Sequence, residues 1–348
     1  MNLRTLLAAL LAAGVALGLL FWAFPNQAKC APVPPGVHPG GPTRISGPFT
    51  SNNLSVFLIH GENKLKGKTF LTLQEALTQK KLIVRETGDV NRLSVENLSD
   101  SVVFIQSGDI VKGGRQDRAM QYDLLIPPKS GQMPLPAFCV EHGRWSGRGG
   151  ENAAKFDSSS NQLIGKDLKL AAKKAGDQSM VWDYVAQNQQ KLCRKLCAPV
   201  ASSPSPTSLQ LTLENKKVQQ SSSDHIKKLE KIIEGHNDVI GYAFAINGKM
   251  NSADVYASSE LFKKLWPKLL QASAVEAIAE QEKGKTFKPA DESQVRACLA
   301  DADKAPAAPR QDVTKRCQIV TQESSRNILF ETLDQDTNIW VHKNYVAK

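Results

Sequence analysis

The sequence predicts an α+β fold, in which a β-rich N-terminal half of meandering antiparallel strands packs with helices from the C-terminal half. Short apolar runs separated by turn residues dominate the chain before Gly150, and amphipathic helical patterns dominate after it. Strands and helices come in blocks and do not alternate as they do in βαβ units. The composition agrees, because 41% apolar and 22% charged residues in a chain of 348 are typical of a globular protein.

Six strands are expected in the first half, over residues 54–59, 82–86, 93–96, 102–106, 122–126 and 135–141. Thr72 and Glu75 form a capping-box pattern, which predicts a short helix to about Gln79 because each side chain can satisfy the other residue's free amide. We expect the runs at 122–126 and 135–141 to pair as a hairpin around residues 127–133.

The second half contains both helix and strand patterns. Helices are expected over Gln178–Leu196, from a cap at Ser223 to Gly235, and from Ser259, with a kink or break at Pro267. Strands are expected over Val239–Ile246, from an Asn247-Gly248 turn to about Tyr256, and in a closing hairpin of residues 328–332 and 339–342.

The N-terminus predicts a membrane anchor or signal segment over residues 1–25. Arg4 precedes an apolar run of nineteen residues without a charge, from Leu6 to Phe24. As a helix this run would be about 28 Å long, close to the ~30 Å hydrocarbon core of a bilayer. A cleaved signal has a shorter apolar region and a cleavage site of small residues, so the pattern favours an uncleaved anchor and leaves a secreted protein as the alternative.

The domain organisation follows from that segment. Residues 26–47 are rich in proline and glycine and are expected to form a tether, and residues 48–348 to form a single α+β domain with surface insertions near 198–208 and 299–316. With Arg4 on the cytoplasmic side, the domain would lie outside the cytoplasm, in the periplasm or at the cell surface. The membrane is therefore one predicted partner.

Six cysteines would then lie where disulfides persist. Cys298 and Cys317 bracket a loop-like stretch that a disulfide could close, while the overall connectivity stays open. Cys193 and Cys197 have neither redox-motif nor zinc spacing.

Two loops rich in glycine and arginine are the candidate binding site. Residues 113–118 read GGRQDR and residues 143–150 read GRWSGRGG, and the expected hairpin would bring both loops to one open end. Arginine matches phosphate or carboxylate oxygens, glycine lets backbone amides face a ligand, and Trp145 can stack on a ring. The loops predict a small anionic or phosphorylated ligand; the alternative is solvated turns whose arginines pair with nearby carboxylates. The expected ligand contacts are Arg115, Gln116, Arg118, His142, Arg144 and Trp145.

A hydrolase is a further hypothesis, with Glu141 as the acid or base together with Asp117 or Cys139. Glu141 can lie beside Arg115 or Arg118, although a structural ion pair explains that position equally. Strand alternation places Cys139 and His142 on opposite faces, which argues against a thiolate pair.

No cofactor and no metal ion are expected. The stretch GENKLKGKT, at residues 61–69, has five residues between its glycines where a P-loop has four, and the histidines lack metal-ligand spacing. The net charge of +10 is diffuse, so it predicts no nucleic-acid polymer as a partner. The second hypothesis, which the diffuse charge motivates, is a non-catalytic envelope module that uses its β-rich face to bind a protein or an anionic polymer.

Residues 108–145 and 238–277 together resemble a prokaryotic family associated with ADP-ribosylglycohydrolases and with the rhodanese/phosphatase superfamily. The first stretch carries the matching triplets Gln116 to Arg118, Cys139 to Glu141 and Gly143 to Trp145, and the second carries Ile246 to Gly248 and a later Trp266. The resemblance covers about residues 48–343. It implies no defined reaction, because the family name describes associated proteins. The chain departs from the pattern at His142, at the 299–316 insertion and in its export segment.

Overall fold

The computed structural model describes residues 44–282 and 284–348. The predicted anchor at 1–25 and the tether up to residue 43 lie outside the described residues, while residues 44–47 of the predicted tether already belong to the first strand. None of the described helices combines the length and apolar character needed to cross a bilayer. The fold is α+β, as the sequence predicts.

The largest sheet is antiparallel and has eight strands. Its spatial order is β1 (Arg44–Ser51), β2 (Leu54–His60), β12 (Val239–Ile246), β13 (Lys249–Tyr256), β17 (Ile339–Ala347), β16 (Asn327–Asp334), β15 (Cys317–Glu323) and β14 (Gln311–Asp312). Strands from both ends of the described chain therefore share one sheet. The Asn247-Gly248 turn and the closing hairpin are confirmed.

The second and third sheets are built from residues between β2 and β12. The six-stranded sheet has the order β11 (Phe156–Gln162), β7 (Asp109–Gly113), β8 (Arg118–Met120), β10 (Gln132–Cys139), β5 (Arg92–Asn97) and β4 (Leu82–Asp89). The three-stranded sheet has the order β3 (Leu71–Thr72), β6 (Val103–Ile105) and β9 (Leu124–Ile126).

Seven α-helices are formed by the described residues: α1 (Leu73–Thr78), α2 (Lys166–Leu170), α3 (Gln178–Leu196), α4 (Leu209–Leu213), α5 (Lys216–Leu229), α6 (Ser259–Ala279) and α7 (Glu292–Asp303). The capping box of α1 is confirmed, because Glu75 N donates to Thr72 Oγ1 and Thr72 N donates to a Glu75 carboxylate oxygen. Helix α6 continues through Pro267 and packs on β12, where Trp266 and Phe262 lie against Tyr242 in the main core.

The expected hairpin of residues 122–126 and 135–141 is wrong. Strand β9 pairs with β6, and β10 pairs instead with β5 and β8. The sequence did not indicate β8, because this strand has only three residues and begins with Arg118. Arg118 is nevertheless fully buried in the sheet.

Two boundaries also differ from the prediction. Helix α5 begins at Lys216 with Asn215 as its cap, not at Ser223, because the first turns bury little besides Val218. The 299–316 insertion is a loop only in part, since α7 runs to Asp303 and Asp291 and Gln294 form a capping box at its start.

No disulfide joins the five cysteines in the described part of the chain, so the expected Cys298–Cys317 crosslink is wrong there. Both sulfur atoms are buried with separate partners. Cys317 Sγ accepts a hydrogen bond from Leu125 N at 3.0 Å, and Cys298 Sγ donates to Asn327 Oδ1 at 3.1 Å. Burial raises the pKa of Cys298 to about 11 and that of Cys317 to about 12, so both are thiols near neutral pH.

Thiol reactivity tests this arrangement. In a Cys30→Ser, Cys193→Ser, Cys197→Ser variant, we expect no reaction with Ellman's reagent in the folded state and three reactive thiols in guanidinium chloride, because Cys139, Cys298 and Cys317 are buried. Two missing thiols after denaturation, with the mass decrease of a disulfide, would contradict the structure.

Candidate functional site

The two glycine- and arginine-rich loops do meet, although through a different strand pair from the one expected. Strand β8 pairs with β10, and Cys139 lies opposite Arg118. The loop that enters β8 and the loop that leaves β10 are therefore at the same end of the sheet. Gly114 has φ +56°, and a Cβ there would lie 2.2 Å from the Phe156 ring, so this turn requires glycine.

The centre of this region is a buried group of four charges, which we call the Asp117–Glu141 network: Asp117, Glu141, Arg144 and Arg148. Both carboxylates are fully buried. Arg148 binds Asp117 through two nitrogens, at 2.9 and 3.0 Å, and its Nη1 also lies 3.3 Å from Glu141 Oε1. Arg144 donates to the two Glu141 oxygens at 2.6 and 2.7 Å. Two carboxylates and two guanidiniums thus neutralise one another.

Further donors fill the remaining acceptor positions of these carboxylates. Ser208 Oγ and Gly113 N donate to Asp117 at 2.7 and 2.9 Å, and Asp117 N donates to Glu141 at 2.9 Å. Burial alone would raise the pKa of Glu141, but hydrogen bonds from Arg144 and Ser205 outweigh it and lower that pKa. Burial likewise opposes the charge of Arg148, yet the bonds to Asp117 raise its pKa. Hydrogen bonds thus engage the oxygens of both carboxylates, and the lowered pKa of Glu141 does not suit a general base.

Gln116 and Arg118 also lie inside the protein. Arg118 Nη1 donates to Gln116 O at 3.2 Å, its Nη2 is 3.4 Å from a Glu86 oxygen, and its Nε has no hydrogen-bond partner among the described residues. Gln116 Nε2 donates to Glu141 O at 2.9 Å. These two residues anchor the first loop through contacts inside the protein.

Arg115 and Trp145 remain at the surface. Trp145 is 45% exposed, and the guanidinium carbons of Arg115 and Arg118 each lie 5.8 Å from the centre of its ring. This distance is within the range of a cation–π interaction. Arg115 forms no ion pair with any described residue, so its charge is available to a ligand.

Trp145 borders a groove of about 300 Å³, the Trp145 groove, lined by Val90, Gln116, His142, Gly143, Arg144, Trp145 and Trp182. A neighbouring hollow of about 430 Å³ shares His142 and Trp182 with it. The ring of His142 meets the Trp182 ring edge-on at 4.5 Å. Trp182 was not predicted as a site residue, although a tryptophan one position after Val181, which lies on the apolar stripe of α3, is a recognisable signal.

Cys139 is next to this region, and no basic side chain among the described residues forms a hydrogen bond with its thiol. Its Sγ donates to Val90 O at 3.6 Å, and burial raises its pKa to about 11. The side chain is thus a neutral thiol near neutral pH, which does not favour nucleophilic catalysis.

The model of the ARG and Rhodanese-Phosphatase-superfamily-associated Protein domain, ARPP-1, matches residues 42–346 of the chain. The chain belongs to the ARPP-1 family. The matched range contains both stretches on which the resemblance was based and all residues of the Trp145 groove. Neither the curated proteins nor the solved structures contain a match to the chain.

The ARPP-1 domain has a second buried ionic cluster, which the sequence did not indicate. His342 lies between two carboxylates, with Nδ1 2.7 Å from Asp123 Oδ2 and Nε2 3.1 Å from Asp254 Oδ1, and it stacks on Tyr256 at 4.4 Å. The adjoining cavity has a volume of about 20 Å³, which is room for about one water molecule. This cluster links β13 and β17 of the eight-stranded sheet to Asp123, the residue before β9, and its cavity is too small for an organic ligand.

One group of side chains in the described part of the domain has donor atoms close enough to share a metal ion: His60, His236 and Asp238, within 4.8 Å of one another. Arg44 Nη2 already lies 2.7 Å from His60 Nδ1 and 2.9 Å from Asp238 Oδ2. Since a guanidinium would repel a metal ion at these atoms, the arrangement favours an ion pair.

Proposed function

We propose that this ARPP-1 domain binds a small anionic ligand that contains a ring, such as a phosphorylated nucleoside or sugar, in the Trp145 groove. The observation that carries the proposal is the placement of exposed apolar surface beside unpaired positive charge. Four large hydrophobic side chains are exposed among the described residues, and two of them, Val90 and Trp145, line the groove. Concentrated exposed apolar surface is typical of binding sites.

The role of each arginine in the proposed binding depends on whether a carboxylate already neutralises its charge. Arg144 and Arg148 are neutralised by Glu141 and Asp117, so their role in the proposal is to fix the loop that carries Trp145. Arg115 supplies the charge for a phosphate or carboxylate, while Trp145 offers a face to the ring. Binding to a preorganised loop costs little conformational entropy.

The geometry supports ligand binding at this site more than catalysis. Glu141 and Asp117 have no exposed oxygen, and Cys139 carries its proton near neutral pH. These features do not support the hydrolase hypothesis.

Export remains part of the proposal on sequence grounds, because the charge-free run after Arg4 is long enough to span a bilayer. We expect the protein to fractionate with membranes and a variant without residues 1–25 not to do so. If the protein with residues 1–25 were found only in the cytosolic fraction, the proposal of export would be overturned.

Ligand binding is tested by calorimetry with AMP, UMP, ribose 5-phosphate and glucose 6-phosphate. We expect at least one to bind, and Arg115→Ala to weaken that binding by about 1.5–3 kcal/mol, roughly 10- to 100-fold, because a charge-assisted hydrogen bond is lost. Trp145→Ala should reduce affinity for the compounds with a base more than for the sugar phosphates.

The matched controls are Arg326→Ala and Leu98→Ala, since Arg326 is 76% and Leu98 40% exposed and neither lines the groove. Both should bind as the unmodified protein does. The proposal fails if no compound binds, or if the Arg115 and Trp145 variants behave like the controls. A peptide captured at Trp145 in place of these compounds would support the protein-interaction hypothesis instead.

A further inference from the structure

A second pocket, which shares no lining residue with the Trp145 groove, has a volume of about 510 Å³. We call it the Glu276 pocket; it lies where the start of α2 and helix α3 meet the β12–β13 hairpin and the end of α6. Tyr184, Met250 and Phe287 give it apolar walls. Its volume falls within the range typical of sites for small organic molecules.

Two buried oxygens at this pocket accept no hydrogen bond. Glu276 is 2% and Asn251 is 8% exposed. Glu276 Oε1 accepts from Asn251 Nδ2 at 2.7 Å and from Lys166 N at 3.1 Å, but Glu276 Oε2 and Asn251 Oδ1 have no donor among the described residues. Lys169 Nζ is 3.7 Å from Glu276 Oε2, too far for a hydrogen bond.

The orientation of the Asn251 amide is fixed by its neighbour. A carboxylate only accepts hydrogen bonds, so the nitrogen of Asn251 must face Glu276 Oε1 and its oxygen must face away. Buried acceptors without donors are rare in folded proteins, and each one calls for an explanation. Two such acceptors that line the same pocket call for a ligand that donates hydrogen bonds.

The local sequence produces this arrangement through a β-bulge. Phe244 pairs with Ser252 and Ala245 pairs with Met250, so Asn251 is the extra residue between them. Bulges redirect side chains and are common beside functional sites. Gly248 in the adjoining turn allows Lys288 O to approach, because a Cβ at Gly248 would lie 2.5 Å from that oxygen.

The small number of available oxygens favours an amine over a metal ion. At the rim, Lys191 pairs with Glu280 and Lys285 pairs with Glu282, both at 2.5 Å, so these charges already neutralise each other. A hard divalent cation needs six or more oxygen ligands, whereas this site offers two oxygens without a hydrogen-bond donor, one of which lies 3.7 Å from Lys169 Nζ.

We propose that the Glu276 pocket is a second binding site, which takes a small organic amine. The ammonium group donates to Glu276 Oε2 and Asn251 Oδ1, and the carbon skeleton contacts Tyr184, Met250 and Phe287. This site is independent of the ligand proposed for the Trp145 groove.

The test is calorimetry on the purified full-length protein with phenethylamine, cyclohexylamine and 1,5-diaminopentane. We expect at least one amine to bind with a Kd of about 1 mM or lower. We expect no binding of 3-phenylpropionate, which resembles phenethylamine but carries a carboxylate. Glu276→Gln should weaken amine binding at least about tenfold, since it removes the charge and keeps the shape.

The controls separate folding from binding and one site from the other. Glu292→Gln changes an exposed carboxylate that does not line the pocket and should leave the amine affinity unchanged. Tyr184→Ala removes an apolar contact with the carbon skeleton of the amine and leaves Glu276 and Asn251 in place. This variant should weaken amine binding, and it tests the proposal even if Glu276→Gln does not fold. Trp145→Ala should not affect amine binding, and Glu276→Gln should not affect binding of the phosphorylated compounds.

Three results would overturn the proposal: no amine binds, binding persists unchanged in the folded Glu276→Gln and Tyr184→Ala variants, or Mg²⁺ or Ca²⁺ alone binds in a Glu276-dependent manner while the amines do not.

Discussion

Asp117→Asn is expected to lower the free energy of unfolding by about 3–5 kcal/mol, because it leaves the guanidinium of Arg148 buried without its main counter-charge. Asparagine keeps the size of the side chain but not its charge, so packing changes little. The loss is large against the 5–15 kcal/mol that stabilises a typical domain. Denaturation by urea, followed by tryptophan fluorescence and by circular dichroism, measures it.

A second substitution distinguishes the loss of a counter-charge from a general defect. In the Asp117→Asn variant, Arg148 keeps only Glu151 at 3.0 Å and Glu141 at 3.3 Å as counter-charges. Arg148→Met in that background removes the guanidinium and should recover part of the lost stability. Arg326→Ala, at an exposed ion pair, should have no measurable effect. If Asp117→Asn were as stable as the Arg326 variant, the Asp117–Glu141 network would not hold the loops as described.

His342→Gln is expected to have a similar effect, again about 3–5 kcal/mol, because Asp123 and Asp254 would lose the cation between them. Burial opposes the charge on His342, but the Asp123 and Asp254 carboxylates outweigh it and raise the pKa of His342 above its usual 6.5. For Asp123, burial is likewise outweighed, chiefly by His342 and Lys173, and its pKa falls below 3.8.

The pH dependence follows from those two directions. The stabilisation from protonated His342 is fully present below pH 6.5 and is lost as the pH rises through the folded-state pKa of His342. The stabilisation from Asp123 is present above pH 3.8 and is lost as the pH falls through its lowered pKa. The difference in unfolding free energy between the unmodified protein and His342→Gln should therefore shrink from pH 6 towards alkaline pH, and a constant difference would contradict a charged His342.

Helices and turns that are determined by neighbouring residues in the sequence were predicted correctly. The cap at Thr72, the Asn247-Gly248 turn and helix α3 were placed by residues adjacent in sequence. The pairing of the strands was not predicted correctly, because β8 pairs with β10 through only three residues, and one of them is a buried arginine. Hydrophobic periodicity does not detect such a strand.

The candidate site was predicted in part. The residues of both loops were expected at one end of the sheet, and the structure brings them together. Some of them are buried and the others are exposed to solvent. Arg144 and Arg148 face inward to carboxylates, while Arg115 and Trp145 face solvent. Ser208 was placed in a surface insertion, yet it is buried and bound to Asp117, a contact between distant parts of the chain that no local pattern encodes.

The eight-stranded sheet has a consequence for how the protein is made. Leu54 in β2 pairs with Ile246 in β12, and β17 lies in the interior of the sheet between β13 and β16, which both precede it in the chain. Pairing of residues so far apart slows folding. The nascent chain therefore cannot complete its central sheet until Ile339–Ala347 has left the ribosome, and a polypeptide released before Ile339 would have no strand between β13 and β16.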